Sequence, residues 1–424
     1  MHERLYEFLE KYNCIYNLQY GFRAKHSTDH CLLDLTERIR KALDNNEFAV
    51  GVFVDLQKAF DTVDHEILLS KLHHYGIRGL GQMWLRSYLT KRYQYVSING
   101  LNSNTKPINV GVPQGSVLGP LLFLLYINDL HRCIKYSSTR HFADDTNLLI
   151  ANSSLKQLKK HLNIDLALLS SWLKANKISL NVSKTEILIF RHPNKQINYD
   201  LRVKLNGQRI YPSNYVKYLG ILIDCHLNWS HHTKSLATKL SRANGMLAKI
   251  RHYVNNHTLR SIYFSIFSSL LTYGCQIWGQ QPNSHIKRII KLQNKALRII
   301  NYAEFQAPSS QLYNTSKILK LLDLIKLKNF LYVYDCFTDN VPTSINGSFS
   351  FVKSRHDHMT RILKQNCVNL PISKTINYGI YSIKGQSARH WNSLRVSLFK
   401  DSDIHHETRN KCKQIISLYF YNSY

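Results

Sequence analysis

Three aspartates carry the first indication of chemistry. Asp55 ends a short apolar run that begins at Phe48, and Asp144-Asp145 sit between two short apolar arms within residues 140–150. A run so rich in β-branched and aromatic residues predicts a strand buried on both faces. Two arms around a polar pair predict a tight hairpin with its acids at the turn. If strand and hairpin adjoin in one sheet, three carboxylates converge at one edge, where their repulsion calls for a cation. Mg²⁺, with Mn²⁺ as a substitute, suits such a cluster because it takes oxygen ligands and keeps positions open for substrate phosphates. Two such ions roughly 3.5–4 Å apart activate an attacking hydroxyl and stabilise the leaving oxygen of an in-line displacement. An Asp-Asp pair alone is most often a solvated turn, so its surroundings must decide.

Those surroundings read as alternating helix and strand. Apolar residues recur at helical spacing from Thr28 to Leu43, and Asp44-Asn45-Asn46 make a turn. Asp64 is a suitable N-cap for a helix through Ile67, Leu68 and Leu72 that stops at Gly76. Gly111-Val112-Pro113-Gln114-Gly115-Ser116 form a loop ahead of a buried helix from Val117 to Leu130. A helix near Leu155–Trp172 is followed by a hairpin in which Ile178–Leu180 and Thr185–Phe190 flank Asn181-Val182-Ser183-Lys184. Tyr215 to Ile223 is a further strand broken at Gly220, and beyond about residue 230 the pattern is helical and basic.

Three segments in this order and spacing are far more specific than the acid pair: Phe53-Val54-Asp55-Leu56-Gln57-Lys58-Ala59-Phe60-Asp61, the loop from Gly111 through Gly119-Pro120, and Phe142-Ala143-Asp144-Asp145. Together they resemble the reverse transcriptases of non-LTR retrotransposons, most closely the jockey-like group. Gln19-Tyr20-Gly21-Phe22-Arg23, Ser183-Lys184-Thr185-Glu186 and Tyr218-Leu219-Gly220 extend the resemblance, which covers at least residues 14–280.

The resemblance implies roles. Asp55 and Asp144 are the principal metal ligands, and Asp145 is the third acid. Phe60 matches the aromatic steric gate against a ribose 2′-hydroxyl; the alternative is an ordinary core Phe. Leu56, Gln114 and Gly115 fall at the nucleotide and template loop, where glycine admits close backbone approach. Lys184 matches the lysine that steadies or protonates the departing pyrophosphate, or is an exposed turn lysine. Arg23 approaches template or nucleotide, or only braces the fingers. Tyr218, Leu219 and Gly220 match the primer grip.

Charge gives an independent reading. The chain of 424 residues has a formal charge of +29. Residues 1–150 hold 17 Lys and Arg against 15 Asp and Glu, whereas residues 151–424 hold 39 against 12. Such segregation points to a polyanionic partner. Within His285–Ile300, Ile286, Ile289, Ile290, Leu297 and Ile300 share one helical face and leave Lys287, Arg288, Lys291, Lys295 and Arg298 to the rest. Lys234, Lys239, Arg242, Lys249 and Arg251 decorate a similar helix. Either is a nucleic-acid surface or a solvated face.

The eight cysteines lie at no metal-binding spacing, which predicts reduced thiols of an intracellular protein. The charged start does not read as a signal peptide, and the longest apolar run, Val117–Ile127, is shorter than a membrane span needs.

The expected fold is therefore α+β, a right-hand polymerase: partial fingers over 1–47, a palm with an antiparallel sheet over 48–228, a helical basic thumb over 229–310, and a mostly helical extension over 311–424. Expected partners are an RNA template, a DNA primer and deoxynucleoside triphosphates, with no membrane. The family further implies a nuclear and cytoplasmic ribonucleoprotein location, fingers sequence upstream of Gly21 that this chain begins too late to contain, and an upstream endonuclease region that it lacks. Two rivals stand: a viral RNA polymerase, opposed by Phe60 and Phe142-Ala143, and a catalytically silent nucleic-acid-binding relic, opposed by the intact acids.

Overall fold

A computed structural model describes residues 1–197, 201–280, 283–352, 367–399 and 407–424. They divide into two units, one of residues 1–31, 48–189 and 194–213, the other of 32–47, 190–193 and 214–424. Helix α2 (Thr28–Asp44) starts in the first and continues in the second.

The first unit is built on a five-stranded sheet. Its members are β1 (Phe48–Val54), β6 (Ser138–Phe142), β7 (Asp145–Asn152), β8 (Glu186–Phe190) and β11 (Pro212–Ser213), in the order β11-β8-β1-β7-β6. β1 runs antiparallel to β7, β7 antiparallel to β6, and β11 parallel to β8. All seven residues of β1 are buried, as its continuous apolar sequence predicts for a central strand.

Among the described residues, the α-helices lying wholly in this unit are α1 (His2–Lys11), α3 (His65–His74), α4 (Gly79–Leu89), α5 (Leu118–Ile127) and α6 (Leu155–Ala175). α3 begins where expected, with Asp64 Oδ1 accepting the Ile67 N–H at 3.0 Å. α5 is apolar on every side and buried throughout except at Pro120, the mark of an interior helix. Each of its buried leucines contributes roughly 1.5–3 kcal/mol relative to exposure. α6 is amphipathic and lays Leu158, Leu162, Leu166 and Leu169 into the same core.

Short strands complete the unit. β2 (Arg92–Gln94) pairs with β5 (Lys106–Ile108), β3 (Ser97–Ile98) with β4 (Leu101–Asn102), and β9 (Val203–Leu205) with β10 (Gln208–Ile210). The last pair turns through Asn206-Gly207, both at positive φ, as a two-residue hairpin demands.

One expectation fails here. Ile178–Leu180 and Thr185–Phe190 do not pair with each other. The backbone groups of 179–181 are already taken by the end of β1: Gln57 N–H donates to Ser179 O at 2.8 Å, Asn181 N–H donates to Asp55 O at 2.9 Å, and Leu56 bridges Leu180. Residues 181–185 instead close a compact turn in which Thr185 N–H returns to Asn181 O.

The second unit is mainly helical. Its hairpin joins β12 (Tyr215–Tyr218) to β13 (Ile221–Asp224), with Leu219 and Gly220 at φ of 43° and 80°. The predicted strand broken at Gly220 is thus two strands, because a two-residue turn of this kind requires positive φ at both centres. There follow α7 (Ser230–Ile250), α8 (Asn256–Ile262), α9 (Ser269–Thr272), α10 (Cys275–Trp278), α11 (Asn283–Ile300), α12 (Ser309–Ser316) and α13 (Leu321–Phe337), then helices over Ile383–Leu398 and Arg409–Asn422. α7 packs along α11, and α13 packs along the helix Ile383–Leu398. Among the described residues no helix is long and apolar enough to cross a membrane.

Candidate active site

The sheet register brings the acids together. β1 and β7 pair from Phe48↔Asn152 to Val54↔Thr146, so one further step sets Asp55 beside Asp145. Phe142 pairs with Asp145, which leaves Ala143-Asp144 as the whole turn between β6 and β7. Ala143 sits at φ 55°, a conformation that costs a non-glycine residue about 1–3 kcal/mol and must be held by its surroundings.

The holder is Gln19. Its buried Oε1 accepts the Ala143 N–H at 3.1 Å and the Gly21 N–H at 2.9 Å. The flanking backbone runs beside β6, with Tyr20 N–H donating to His141 O and His141 N–H donating to Leu18 O. Gly21 lies so close that a Cβ there would stand 2.4 Å from the Ala143 nitrogen. Sequence reasoning noticed this segment without giving Gln19 a role; the signal was a glutamine two residues before a glycine in a motif otherwise read as fingers.

Asp55 is fixed from its other side. Its N–H points to Thr185 Oγ1 at 3.5 Å and its carbonyl accepts the Asn181 N–H. Lys184 therefore belongs to a turn hydrogen-bonded to Asp55, and its side chain is exposed. Burial, and then Asp55, raise the Asp144 carboxyl above the ordinary carboxylate range. Asp145 is pushed up to about 6, first by loss of surrounding water and then by Asp144 and Asp55. Asp145 still has an exposed surface, so water screens part of that shift.

These observations test the fit of a divalent cation. Among the described residues no three His, Cys, Asp or Glu side chains are drawn tightly enough together to form a finished ligand cluster. Yet none of Asp55, Asp144 and Asp145 forms an ion pair with a described residue. Asp144 and Asp145, with their raised affinity for protons, together with the adjoining carboxylate of Asp55 and no ion pair to a described residue, are the donor set that a hard divalent ion would relieve. The residues fit such an ion, with Asp145 reachable from solvent.

Phe60 lies beyond Asp55. Its ring stacks on Phe123 of α5 at 4.2 Å between centroids and meets Phe22 edge-on at 6.2 Å. It is half-buried and offers an aromatic surface held from two sides. Gln114 donates from Nε2 to Asp61 Oδ1 at 2.7 Å, and Gly111, at φ 88°, packs on the Asp61 backbone where a Cβ would lie 2.9 Å from its oxygen. The 111–116 loop is thereby tied to the segment after Asp55. Gly115, at φ 81°, faces open space.

Two assigned side chains are occupied elsewhere. Leu56 is buried in the core. Arg23 is nearly buried, pairs with Glu10 at 3.0 Å and donates to the carbonyls of Tyr16 and Gln19, which makes it a brace for the Gln19 segment.

In the second unit, Tyr218 is buried, the Leu219 carbonyl accepts the Tyr273 hydroxyl, and Gly220 sits against the Tyr273 ring. On α11, Lys287, Arg288, Lys291 and Lys295 are exposed at spacings that place them on one side of the helix. Arg298 departs from the expectation: its Nε donates to Ala307 O at 2.9 Å, tying down the loop after α11. On α7, Lys234, Lys239, Arg242 and Lys249 are exposed, whereas Arg251 lies over the Tyr302 ring.

Comparison with known proteins adds an independent line. Residues 1–223 match the family described as reverse transcriptase (RNA-dependent DNA polymerase). The chain is similar to the RNA-directed DNA polymerase from mobile element jockey of Drosophila melanogaster, 32% identical over 327 residues, covering 74% of this chain and 35% of the relative. It is also similar to the probable RNA-directed DNA polymerase from transposon BS of the same organism, 30% identical over 327 residues, covering 73% and 35%. A solved telomerase structure from Candida albicans aligns over 78% of this chain and 56% of that one, at 14% identity and a TM-score of 0.38. The chain spans about a third of the length of the curated relatives it matches.

Proposed function

The chain belongs to the reverse transcriptase family, and from that premise we propose that it extends a primer 3′-hydroxyl with deoxynucleotides against an RNA template, as part of a non-LTR retrotransposon polymerase. The observation that carries this reading is the β1–β7 register, which sets Asp55 beside Asp145 with Asp144 in the adjoining turn. In this reading the sheet of the first unit is the palm, and the helices from α7 to α11 are the thumb.

Asp55, Asp144 and Asp145 would hold the divalent ions, which when bound supply charge neutralisation for the nucleotide phosphates and the developing alkoxide. The chain's own residues position the rest. Gln19 and Gly21 set the turn that carries Asp144, the 181–185 turn sets Asp55, and the Gln114–Asp61 bond sets the loop bearing Gly115. Primer extension on a primed RNA by the full chain in Mg²⁺ tests the proposal. Extension that persists after Asp55 and Asp144 are both replaced by Asn would remove these acids from it.

Phe60 is the sugar gate in this reading, because its ring is stacked on Phe123 of α5 with Phe22 edge-on beside it, two positions from which it could bar a 2′-hydroxyl. Phe60→Val is expected to raise ribonucleotide incorporation relative to deoxynucleotide by roughly 10–200-fold, the range of discrimination that a small apolar volume change supports. Competitive incorporation of the two nucleotide types measures it; an unchanged ratio returns Phe60 to the core alone.

The exposed α11 cations would track duplex phosphates without reading bases. Replacing Lys287, Arg288, Lys291 and Lys295 together by Gln is expected to lower the slope of log affinity against log salt by roughly 3–4, at about 0.9 per phosphate contact. A slope that stays put on a primed duplex means that this face is merely solvated.

A further inference from the structure

A second charge pattern hides inside the near balance of residues 1–150. From Ile67 to Asn128 the chain holds no Asp or Glu but six Lys and Arg, which leaves 11 cations against 15 acids in the rest of that stretch. Two of the six are matched from its borders, Lys71 by Asp129 at 2.6 Å and Arg86 by Glu66 at 2.6 Å. Lys91, Arg92 and Lys106 form no ion pair with a described residue. All three belong to one two-stranded ribbon of the first unit, in which β2 pairs with β5 and β3 with β4. The ribbon turns through Asn99-Gly100, both at positive φ.

The ribbon buries none of its own side chains fully. Residues 91–110 are exposed apart from half-buried Arg92 and Ile108, although they include Tyr93, Tyr95, Val96, Ile98 and Leu101. A lone two-stranded hairpin is at best marginally stable in water, and exposed apolar side chains gathered on one element mark a surface that a partner covers. The two tyrosines, 68% and 58% exposed, indicate the occupant. Strand alternation puts them on one face, roughly 7 Å apart at two residues of rise. The register sets Pro107 opposite Tyr93 on that face, whereas Arg92, Gln94 and Lys106 lie on the other. Neither tyrosine ring meets another described ring or cation, and neither hydroxyl has a described hydrogen-bond partner.

We infer that this ribbon binds an unpaired stretch of a nucleic-acid strand, with bases stacked on Tyr93 and Tyr95 and phosphates held by Lys91, Arg92 and Lys106. Open aromatic rings beside unpaired cations suit a single strand, because every base has a face to stack and every linkage a charge. A duplex offers no such faces, since its bases already stack on one another. A protein partner fits less well, because it would have to be acidic as well as apolar to meet a surface drawn from an acid-free stretch. At the foot of the ribbon Val110 bridges Asp64, and Gly111 N–H donates to Val63 O at 2.8 Å. A strand held on the ribbon is thus anchored to the segment of chain that leads into the loop bearing Gln114 and Gly115.

The inference extends the nucleic-acid reading above, but its test is binding, so it can fail while primer extension stands. Short labelled single-stranded RNA, single-stranded DNA and a hairpin duplex are titrated with the full chain over a range of salt. Tyr93→Ala combined with Tyr95→Ala is expected to weaken single-strand binding by at least roughly 30-fold, the low end for two stacked bases, with the salt slope unchanged because no charge is lost. Tyr93→Phe with Tyr95→Phe keeps the rings and is expected to bind as the parent does. Replacing Lys91, Arg92 and Lys106 together by Gln is expected instead to lower the slope by about 2, at about 0.7 per phosphate contact. Melting curves of all three variants should match the parent, since none of these side chains is part of the core. Crosslinking a strand that carries 5-iodouracil, followed by peptide mapping, is expected to place its bases on residues 91–108. Equal losses for RNA and DNA support a platform shared by both; a loss for one alone supports the platform and names its strand. Unchanged single-strand affinity in the alanine variant, an equal loss for the duplex, a phenylalanine variant as weak as the alanine one, or crosslinks confined to other segments would each overturn the inference.

Discussion

Asp144→Asn is expected to lower primer extension by at least about 10³-fold, ~4 kcal/mol at 1.36 kcal/mol per tenfold, while leaving affinity for a primed template essentially unchanged. The substitution keeps the size of the side chain in the Ala143-Asp144 turn and removes one charge from the acid cluster. The basic helix faces that would carry nucleic-acid affinity belong to other elements, so binding and extension should separate. A second readout needs no activity. Burial and neighbouring carboxylates raise the Asp144 carboxyl and push Asp145 up to about 6. A carboxyl raised above its unfolded value binds its proton more tightly in the folded chain. Its ionisation therefore costs stability, a cost absent at pH below the unfolded value and complete once pH exceeds the folded one. Metal-free Asp144→Asn should accordingly melt higher than the parent at pH 7, with the difference shrinking as pH falls through about 6. Mg²⁺ should raise the melting temperature of the parent more than that of the variant. Equal extension, or equal Mg²⁺ responses, would take Asp144 out of the metal site.

How far the sequence spoke depended on how local the signal was. β1, α3, α5 and the acid hairpin were legible because each is a short run whose apolar period, cap or turn residues settle its state nearly alone. Asp64 before Ile67, and the apolar arms around Asp144-Asp145, are such signals. The segment 178–185 was misread because its fate is decided by a competitor distant in sequence: the end of β1 takes the backbone groups that a hairpin partner would have used. Leu219-Gly220 was read as a break when it is a two-residue turn, since Leu at positive φ gives no compositional warning. Charge was legible as a segregated excess, but its distribution was not. Arg298 and Arg23 sit in basic or motif-bearing stretches, yet a carbonyl claims one and Glu10 the other.

The support of the acid turn gives the second large effect. Gly21→Ala is expected to cost about 100-fold in turnover, the scale of a misplacement near 1 Å at a reacting centre. The reason is contact and not backbone strain. A Cβ at residue 21 would stand 2.4 Å from the Ala143 nitrogen and 3.1 Å from both the Ala143 Cα and the Phe142 carbonyl carbon. These are backbone atoms, so the turn itself must move, and Asp144 moves with it. Gln19→Ala attacks the same turn differently, leaving the N–H groups of Gly21 and Ala143 without their acceptor, at about 1–3 kcal/mol for each that stays buried and unsatisfied. That variant should lose stability as well as turnover, whereas Gly21→Ala should lose mainly turnover, with nucleotide KM and template affinity little changed. Ala143→Gly supplies the decisive control. Glycine accepts φ 55° without the penalty borne by alanine and lets the turn shift away from a new methyl at 21. Added to Gly21→Ala, it should return part of the lost turnover. Full turnover in Gly21→Ala alone would show that the turn tolerates displacement, and no recovery in the double variant would show that the damage lies elsewhere than at Ala143.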